Sequence, residues 1–170
     1  MKRRDPSTRS RTTAASDSAP PAVRWEPLPE GLARWTGYAL AWVTSLAGQL
    51  YAAGLAKIGL EPPHVAILQM LGDEGPLNQN RLAARTRIDK APLVGHLNVL
   101  EDACLVQRRP HPTDGRAFLV HLTDAGRTKL VEAEQVNAEV TEQFFAPLAP
   151  DERRVLHELL TRLATSHAGP

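Results

Sequence analysis

The sequence contains one cysteine and no uninterrupted apolar run long enough to cross a bilayer. The single thiol, Cys104, cannot close a disulfide within the chain, which favours a reducing compartment. Without such an apolar run, the sequence predicts no transmembrane span and no membrane partner. Ser, Thr, Asp and Pro follow the basic N-terminal residues, where a signal peptide would require an apolar segment. We therefore expect a cytoplasmic protein.

The sequence also lacks the motifs of common enzymes and metal proteins. There is no phosphate-binding glycine loop, no HExxH segment and no arrangement of Ser, His and Asp typical of nucleophilic catalysis. The six histidines are scattered without the close spacing of a zinc site. We therefore predict no enzyme activity, no catalytic residues, no metal ligands and no cofactor.

The charge is distributed unevenly along the chain. Residues 1–24 carry six basic and two acidic side chains, a net charge of +4, so residues 25–170 carry −3 of the total +1. This basic segment has almost no large apolar side chains, so it cannot recover the entropy lost on ordering. We predict a disordered tail over residues 1–28, acting either as a solubilising leader or as an arm attracted to phosphates. Residues 29–170 suit a single domain.

Helical periodicity marks both ends of that domain. Apolar residues recur in steps of three and four from Leu32 to Leu50, which predicts a long helix over residues 32–57. A second helical region covers residues 123–166, where Thr123 is a candidate N-cap. Its last helix carries an apolar stripe of Val155, Leu156, Leu159, Leu160 and Leu163. We expect these terminal helices to form a dimerisation region.

The middle of the chain predicts two short helices joined by a tight turn. Asn78 is a candidate N-cap for a helix ending near Thr86, and Asp89 for a second helix reaching about Ala103. The second helix would bury Leu93, Leu97 and Leu100, leaving the other side to Lys90, Val94, His96 and Asn98. Two helices at this spacing form a helix-turn-helix.

The period then changes from helical to alternating. Residues 105–109 and 117–122 are short and rich in residues that favour strands, and "HPTDG" between them has the Pro, Asp and Gly of a hairpin tip. The sequence thus predicts a mainly α fold with a small β-hairpin wing. A winged helix-turn-helix lobe would occupy about residues 62–122.

Motifs of this lobe resemble the MarR family of bacterial transcription regulators. They are an "L-x-x-x-x-LA" opening, "DK" at the second helix, "L-x-x-x-x-LV-x-R" at its exit, and "P-x-D-x-R-A-x-x-V-x-LT-x-x-G" across the wing. The matching residues are Leu77, Leu82 and Ala83; Asp89 and Lys90; Leu100, Leu105, Val106 and Arg108; and Pro112, Asp114, Arg116, Ala117, Val120, Leu122, Thr123 and Gly126. The resemblance implies a homodimeric DNA-binding regulator, a ligand-responsive repressor acting on palindromic operators.

The resemblance also assigns residues to double-stranded DNA. A recognition helix reads base edges in the major groove, while a hairpin tip carries an arginine to the backbone or minor groove. The candidates are Lys90, Val94, His96 and Asn98 in the helix and Arg109, His111, Asp114 and Arg116 in the wing. Asp114 would orient the guanidinium of Arg116. Ala91, Pro92 and Gly95 stand where family members commonly carry Ser or Thr and an arginine, so we expect the wing to supply more of the binding energy.

Aromatic residues suggest an effector site. Trp35, Tyr38 and Trp42 lie at helical spacing, and His64 opens the next helix, where relatives form a pocket for a small ligand. Ordinary core packing is the alternative role for these residues. The resemblance implies a small aromatic or phenolic effector.

Two other functions stay open. Cys104 stands where the family usually has a Gly, and we expect a small, semi-buried residue there, with a Cys104-based redox sensor as the alternative. The missing recognition-helix arginine is also consistent with a winged-helix interaction module that does not bind DNA.

Overall fold

The structure is a computed structural model and describes residues 27–112 and 117–166. Seven helices and one two-stranded antiparallel sheet make up these residues. In chain order they are α1 (Glu30–Ala33), α2 (Thr36–Ala56), α3 (Pro62–Glu74), α4 (Gln79–Thr86), α5 (Lys90–Asp102), β1 (Val106–Pro110), β2 (Phe118–Leu122), α6 (Asp124–Phe144) and α7 (Pro150–Ser166). The predicted fold class, mainly helical with a β-hairpin wing, is confirmed.

The predicted first helix over residues 32–57 is divided in two. Trp35 has an extended backbone, with φ −105° and ψ 106°, and serves as the N-cap of α2. Apolar periodicity does not reveal this break, because residues on both sides of Trp35 still recur three and four positions apart. The predicted tail of residues 1–28 lies outside the described residues, except for its last two positions.

Helix α2 is uncharged and mostly apolar along its whole length. By length and composition alone it could cross a bilayer, although the core helix of a soluble protein passes the same test. The search for an unbroken apolar run did not detect this helix, because mean hydropathy tolerates interspersed Gly, Thr and Ser. The expected absence of a transmembrane span stays a prediction. In the single chain, only Leu55 of α2 is buried.

The hydrophobic core lies beneath α3, α4, α5 and the wing. Leu93, Leu97 and Leu100 are buried on one face of α5, as predicted. They join a single cluster with Leu55, Leu60, Ile67, Leu68, Leu71, Leu77, Leu82, Leu105, Val106, Val120, Leu130 and Ala133. This cluster fixes the helix-turn-helix against the wing.

The wing contains an additional bridge that the sequence did not predict. Strands β1 and β2 pair from Val106 opposite Leu122 to Pro110 opposite Phe118. On the other edge of β2, Leu77 forms an antiparallel bridge with Val120, with N–O distances of 3.2 and 2.8 Å. The segment that leads into α4 is thereby joined to the sheet, one residue before the N-cap Asn78.

The start of α6 packs directly onto the start of the wing. Thr123 caps the helix, as predicted, since its Oγ1 accepts a hydrogen bond from Gly126 N at 2.9 Å. Thr123 also donates from N to the carbonyl oxygen of Leu105 at 3.1 Å, and its hydroxyl proton lies between the carbonyl oxygens of Cys104, at 2.8 Å from Oγ1, and Leu105, at 3.0 Å. A Cβ built on Gly126 would overlap that oxygen, so only glycine fits this contact. This explains the final glycine of the wing motif.

Helix α6 continues along α2, and α7 follows with little support from its own protomer. A Cβ on Gly54 of α2 would lie 2.7 Å from Val136 Cγ1 of α6, so these two helices approach closely. None of the residues of α7 is buried. Arg153 of α7 donates to Glu142 of α6 at 2.8 and 3.3 Å, and this partnership holds the pKa of Glu142 below its usual range.

Candidate nucleic-acid interface

The outer face of α5 presents side chains of the predicted recognition helix. Lys90, Val94 and Asn98 are exposed at steps of four residues, opposite the buried leucines. Pro92 lies in the first turn, where a backbone N–H would have no intrahelical partner. Asp89 occupies the N-cap position but makes no side-chain capping bond, so this part of the prediction was wrong. The described backbone nevertheless begins the helix at the predicted residue.

His96 does not share this exposed face. Its Nδ1 lies 3.2 Å from His64 Nε2 on α3, and the two rings meet edge to face with centroids 5.1 Å apart. The expected placement of His96 beside Lys90 was wrong, because a residue three positions after buried Leu93 flanks the buried stripe. Its predicted DNA contact stays a prediction.

A polar cluster connects α5 to β1. Glu101 accepts hydrogen bonds from the backbone N of Arg108, at 2.9 Å, and from its guanidinium. The same guanidinium donates to Asn98 Oδ1 at 2.8 Å. The amide oxygen of Asn98 therefore already accepts a hydrogen bond from Arg108, and a DNA base would have to compete for it. Sequence reasoning missed this role of Arg108, although the arginine of the "LV-x-R" motif marked the position.

The described part of the wing holds two more predicted DNA-binding residues. The guanidinium of Arg109 donates to Gln107 Oε1 at 3.2 and 3.1 Å on the exposed side of β1. His111 N donates to the carbonyl oxygen of Ala117 at 2.9 Å, which closes the base of the hairpin tip. Asp114 and Arg116 lie outside the described residues, so their predicted pairing stays a prediction.

His121 on β2 adds a titratable group beside the wing arginine. Burial lowers the pKa of His121, and the positive charge of Arg109 lowers it further. Both effects favour the neutral imidazole. The positive charge of this part of the wing therefore comes from arginine and not from histidine at neutral pH.

A polar groove lies between the start of α4 and the wing. Its volume is about 590 Å³, and it is lined by Asn78, Gln79, Asn80, Arg108, Ala117, Phe118 and Val120. Asn78 caps α4, as predicted, by accepting from Arg81 N at 2.9 Å. The start of α4 is the positive end of its helix dipole, and it borders the groove. This setting favours phosphate oxygens. Sequence reasoning did not identify the groove, because its sides are far apart along the chain.

Arginines of α4 are held by one carboxylate of α3. Glu74 accepts from Arg81 at 3.4 Å and pairs more closely with Arg85. Both arginine side chains stay more than half exposed, at 65% and 55%. Two arginines against one carboxylate leave a net positive charge on the exposed surface of α4.

The predicted effector residues do not all meet within one protomer. The rings of Tyr38 and Trp42 stack, with centroids 6.2 Å apart, and Trp35 is exposed. Trp42 Nε1 is buried with no hydrogen-bond partner among the described residues. The chain reaches His64 only after the other end of α2. That end lies about 20 Å from Trp42 along the helix axis, at 1.5 Å per residue. The four-residue pocket stays a prediction.

Cys104 is exposed and adopts a left-handed backbone with φ 58°. The expectation of a semi-buried residue was wrong, because Cys104 lies at the corner where the chain leaves α5, outside the buried stripe. A left-handed residue after a helix is usually glycine. This geometry accounts for the glycine that the family usually carries at this position.

Comparisons with known proteins match these features. The model of the MarR family matches residues 58–117. The HTH-type transcriptional regulator YdgJ of Bacillus subtilis is 29% identical over 126 residues, which cover 74% of this chain and 75% of YdgJ. A crystal structure described as a probable transcriptional regulator from Pseudomonas aeruginosa is 36% identical, with a TM-score of 0.67, covering 78% of this chain and 98% of that one.

A third similar protein is Bordetella bronchiseptica BpsR, whose DNA binding is described as regulated by 6-hydroxynicotinic acid. BpsR is 25% identical, with a TM-score of 0.65, and the match covers 75% of this chain and 97% of BpsR.

Proposed function

Because the chain belongs to the MarR family of winged-helix DNA-binding transcription regulators, we propose that it is a homodimeric repressor of a palindromic operator. A small aromatic or phenolic effector would release it. Its relatives are transcription regulators and not enzymes. The observation that carries the DNA-binding part is the position of the exposed α5 face beside the α4–wing groove.

Dimerisation is supported by the terminal helices. Helix α7 buries none of its residues, and an isolated 17-residue helix gains too little from its own hydrogen bonds to be stable in water. Its exposed apolar side chains include Val155, Leu159 and Leu160, while α2 exposes Leu40 and Val43. A second copy of the chain would cover both surfaces. Burial of α2 in the proposed dimer also accounts for its apolar composition. The protein then needs no membrane to cover this helix.

The dimer determines the form of the operator. A two-fold axis would present two recognition helices to successive major grooves, with half-sites about one helical turn apart. Lys90, Val94 and Asn98 would contact base edges, and the wing residues Arg109 and Arg116 would contact the flanking backbone or minor groove.

The aromatic side chains of α2 support an effector of the proposed class. The buried indole N–H of Trp42 has no partner among the described residues, and such a donor is costly to leave unsatisfied. A carboxylate or phenolic oxygen would accept from it while an aromatic ring packs on Tyr38. Regulation of BpsR by 6-hydroxynicotinic acid fits this chemistry. Release requires that the effector bind more tightly to a dimer that no longer matches the operator.

Fluorescence anisotropy with DNA from the promoter of the protein's own gene tests the proposal. We expect binding that is tighter than to scrambled DNA of equal length. Arg116→Ala should weaken operator binding by about 1–3 kcal/mol, the value of one good arginine contact. Arg154→Ala on α7 removes the same charge away from the proposed DNA interface and serves as the control, once light scattering shows that its dimer is unchanged. Equal affinities of the wild type and Arg116→Ala at matched salt would contradict DNA contact by the wing and favour an interaction module.

The exposure of Cys104 supports a second candidate, a redox-sensing regulator. Oxidation at the exit of α5 would alter the helix that reads DNA. In this case an oxidant would reduce operator binding of the wild type but not of Cys104→Ser.

A further inference from the structure

Three side chains with metal-binding atoms meet where α3 begins and α5 passes. Glu61 precedes α3, His64 lies in its first turn, and His96 lies in the middle of α5. Their candidate ligand atoms all lie within 4.8 Å of one another. His96 Nδ1 lies 3.2 Å from His64 Nε2 and 4.0 Å from Glu61 Oε2. The two histidines are 32 positions apart in the chain, so their spacing in the sequence does not reveal the cluster.

The separations suit one small cation. Two ligands of a tetrahedral zinc ion, each about 2.0–2.1 Å from the metal, are roughly 3.3 Å apart. The histidine nitrogens already have this separation. The carboxylate of Glu61 needs to approach His96 Nδ1 by about 0.7 Å and His64 Nε2 by at most about 1.5 Å by the same geometry. Its side chain is 65% exposed, so it has room to move, although it also takes part in the capping box of α3. Because His64 is 4% exposed, it provides the fixed ligand.

The hydrogen bonds of His64 specify its protonation. Its Nδ1 accepts from Glu61 N at 3.1 Å, so the neutral ring carries its proton on Nε2, where it can be donated to His96 Nδ1. A cation at Nε2 replaces the shared proton, and the ring proton moves to Nδ1. Metal binding therefore breaks two hydrogen bonds, the one between His64 Nε2 and His96 Nδ1 and the one from Glu61 N to His64 Nδ1. Bonds from the ion to the two imidazole nitrogens and the Glu61 carboxylate replace them, and the first turn of α3 must shift so that Glu61 N–H no longer faces the new Nδ1–H.

We propose that Glu61, His64 and His96 bind a divalent transition-metal ion, with a fourth position left for water. Two imidazoles and one carboxylate suit Zn²⁺ or Co²⁺ better than Mg²⁺ or Ca²⁺, which prefer oxygen ligands. The bound ion joins the first turn of α3 to the recognition helix α5. This site does not depend on the proposed effector or operator.

Titration of the full-length protein with Zn²⁺, followed by calorimetry, tests the site. The protein should carry no histidine tag and should first be freed of metal with a chelator. We expect one Zn²⁺ per protomer, and at least tenfold weaker binding in both His96→Gln and Glu61→Gln. Glutamine at position 61 keeps a side-chain oxygen that can cap α3 but loses the negative charge. Weaker Zn²⁺ binding in this variant would therefore reflect loss of the metal ligand and not loss of the helix cap. His157→Gln on the exposed face of α7 is the matched control and should bind as the wild type does.

Two independent readouts accompany the titration. Co²⁺ bound to the wild type should give the visible absorption of a four- or five-coordinate ion, and Zn²⁺ should raise the melting temperature of the wild type. Both signals should be lost in His96→Gln and Glu61→Gln, whose far-UV circular dichroism should match that of the wild type. A wild type that binds Zn²⁺ no more tightly than these two variants would overturn the proposal and leave an ordinary hydrogen-bonded histidine pair.

Discussion

Replacing Gly126 with alanine tests the contact between α6 and the wing. The added Cβ would overlap the carbonyl oxygen of Leu105 and would also lie 2.6 Å from Leu122 Cδ1 and 3.1 Å from the Leu105 carbonyl carbon. A backbone carbonyl cannot rotate away as a side chain can. The start of α6 must therefore retreat by about 1 Å to restore ordinary contact distances.

The expected loss of stability follows from this retreat. Thr123 donates from N to Leu105 O at 3.1 Å and from Oγ1 to Cys104 O and Leu105 O at 2.8 and 3.0 Å, and a retreat of about 1 Å would take the backbone bond and the hydroxyl bond beyond the normal length limit of about 3.2 Å. Two lost hydrogen bonds cost about 2 kcal/mol, and residual overpacking costs about 1–3 kcal/mol. The better helix propensity of alanine returns at most about 1 kcal/mol. We expect Gly126→Ala to lower the free energy of unfolding by about 2–4 kcal/mol.

Urea unfolding followed by circular dichroism, at fixed protein concentration, measures this change. Gly95→Ala is the control, because a Cβ at this α5 position has nothing within 4 Å. Without a clash, it should raise stability by about 0.5–1 kcal/mol. If Gly126→Ala is as stable as the wild type, the close approach of α6 to Leu105 is not a constraint on the fold.

Three further predictions concern pH, assembly and salt. Because burial lowers the pKa of His64, the unfolded chain binds its proton more readily, so stability should be full above pH ~6.5 and fall as the pH drops below it. As the pH falls below ~6.5, the urea midpoint of metal-free His64→Gln should fall less steeply than that of the metal-free wild type. Equal pH dependence in the two proteins would contradict the assignment of this effect to His64. Leu159→Asp should convert the dimer into monomers or unfolded chains, whereas an unchanged dimer by light scattering would exclude α7 from the interface. Deleting residues 1–24 should make the salt dependence of DNA binding shallower while keeping the ratio of specific to random binding, and an identical slope would leave the tail a passive leader.

Local signals in the sequence predicted much of the fold. The caps Asn78 and Thr123 satisfy N–H groups within three residues of themselves, and the leucine stripe of α5 needs only helical spacing. The hairpin follows in the same way from two short strands around a turn. Each of these features depends on chemistry within one element or between neighbouring elements.

Other features depend on contacts between distant parts of the chain. The pairing of His64 with His96 and the bridge between Leu77 and Val120 bring together residues that no local pattern connects. The break at Trp35 was missed for a different reason, since a change in one pair of backbone angles leaves apolar spacing intact. Sequence reasoning therefore located the recognition helix but not the side chains that surround it.

The cluster of Arg108, Glu101 and Asn98 has a consequence for regulation. It fastens the wing to the recognition helix, so the distance between the two proposed points of DNA contact on one chain is held constant. An effector that cannot change this distance can act only on the separation and tilt of the two lobes in the proposed dimer. Each lobe then moves as a rigid unit, and the proposed effector controls how well the separation of the two recognition helices matches the fixed spacing of the operator half-sites.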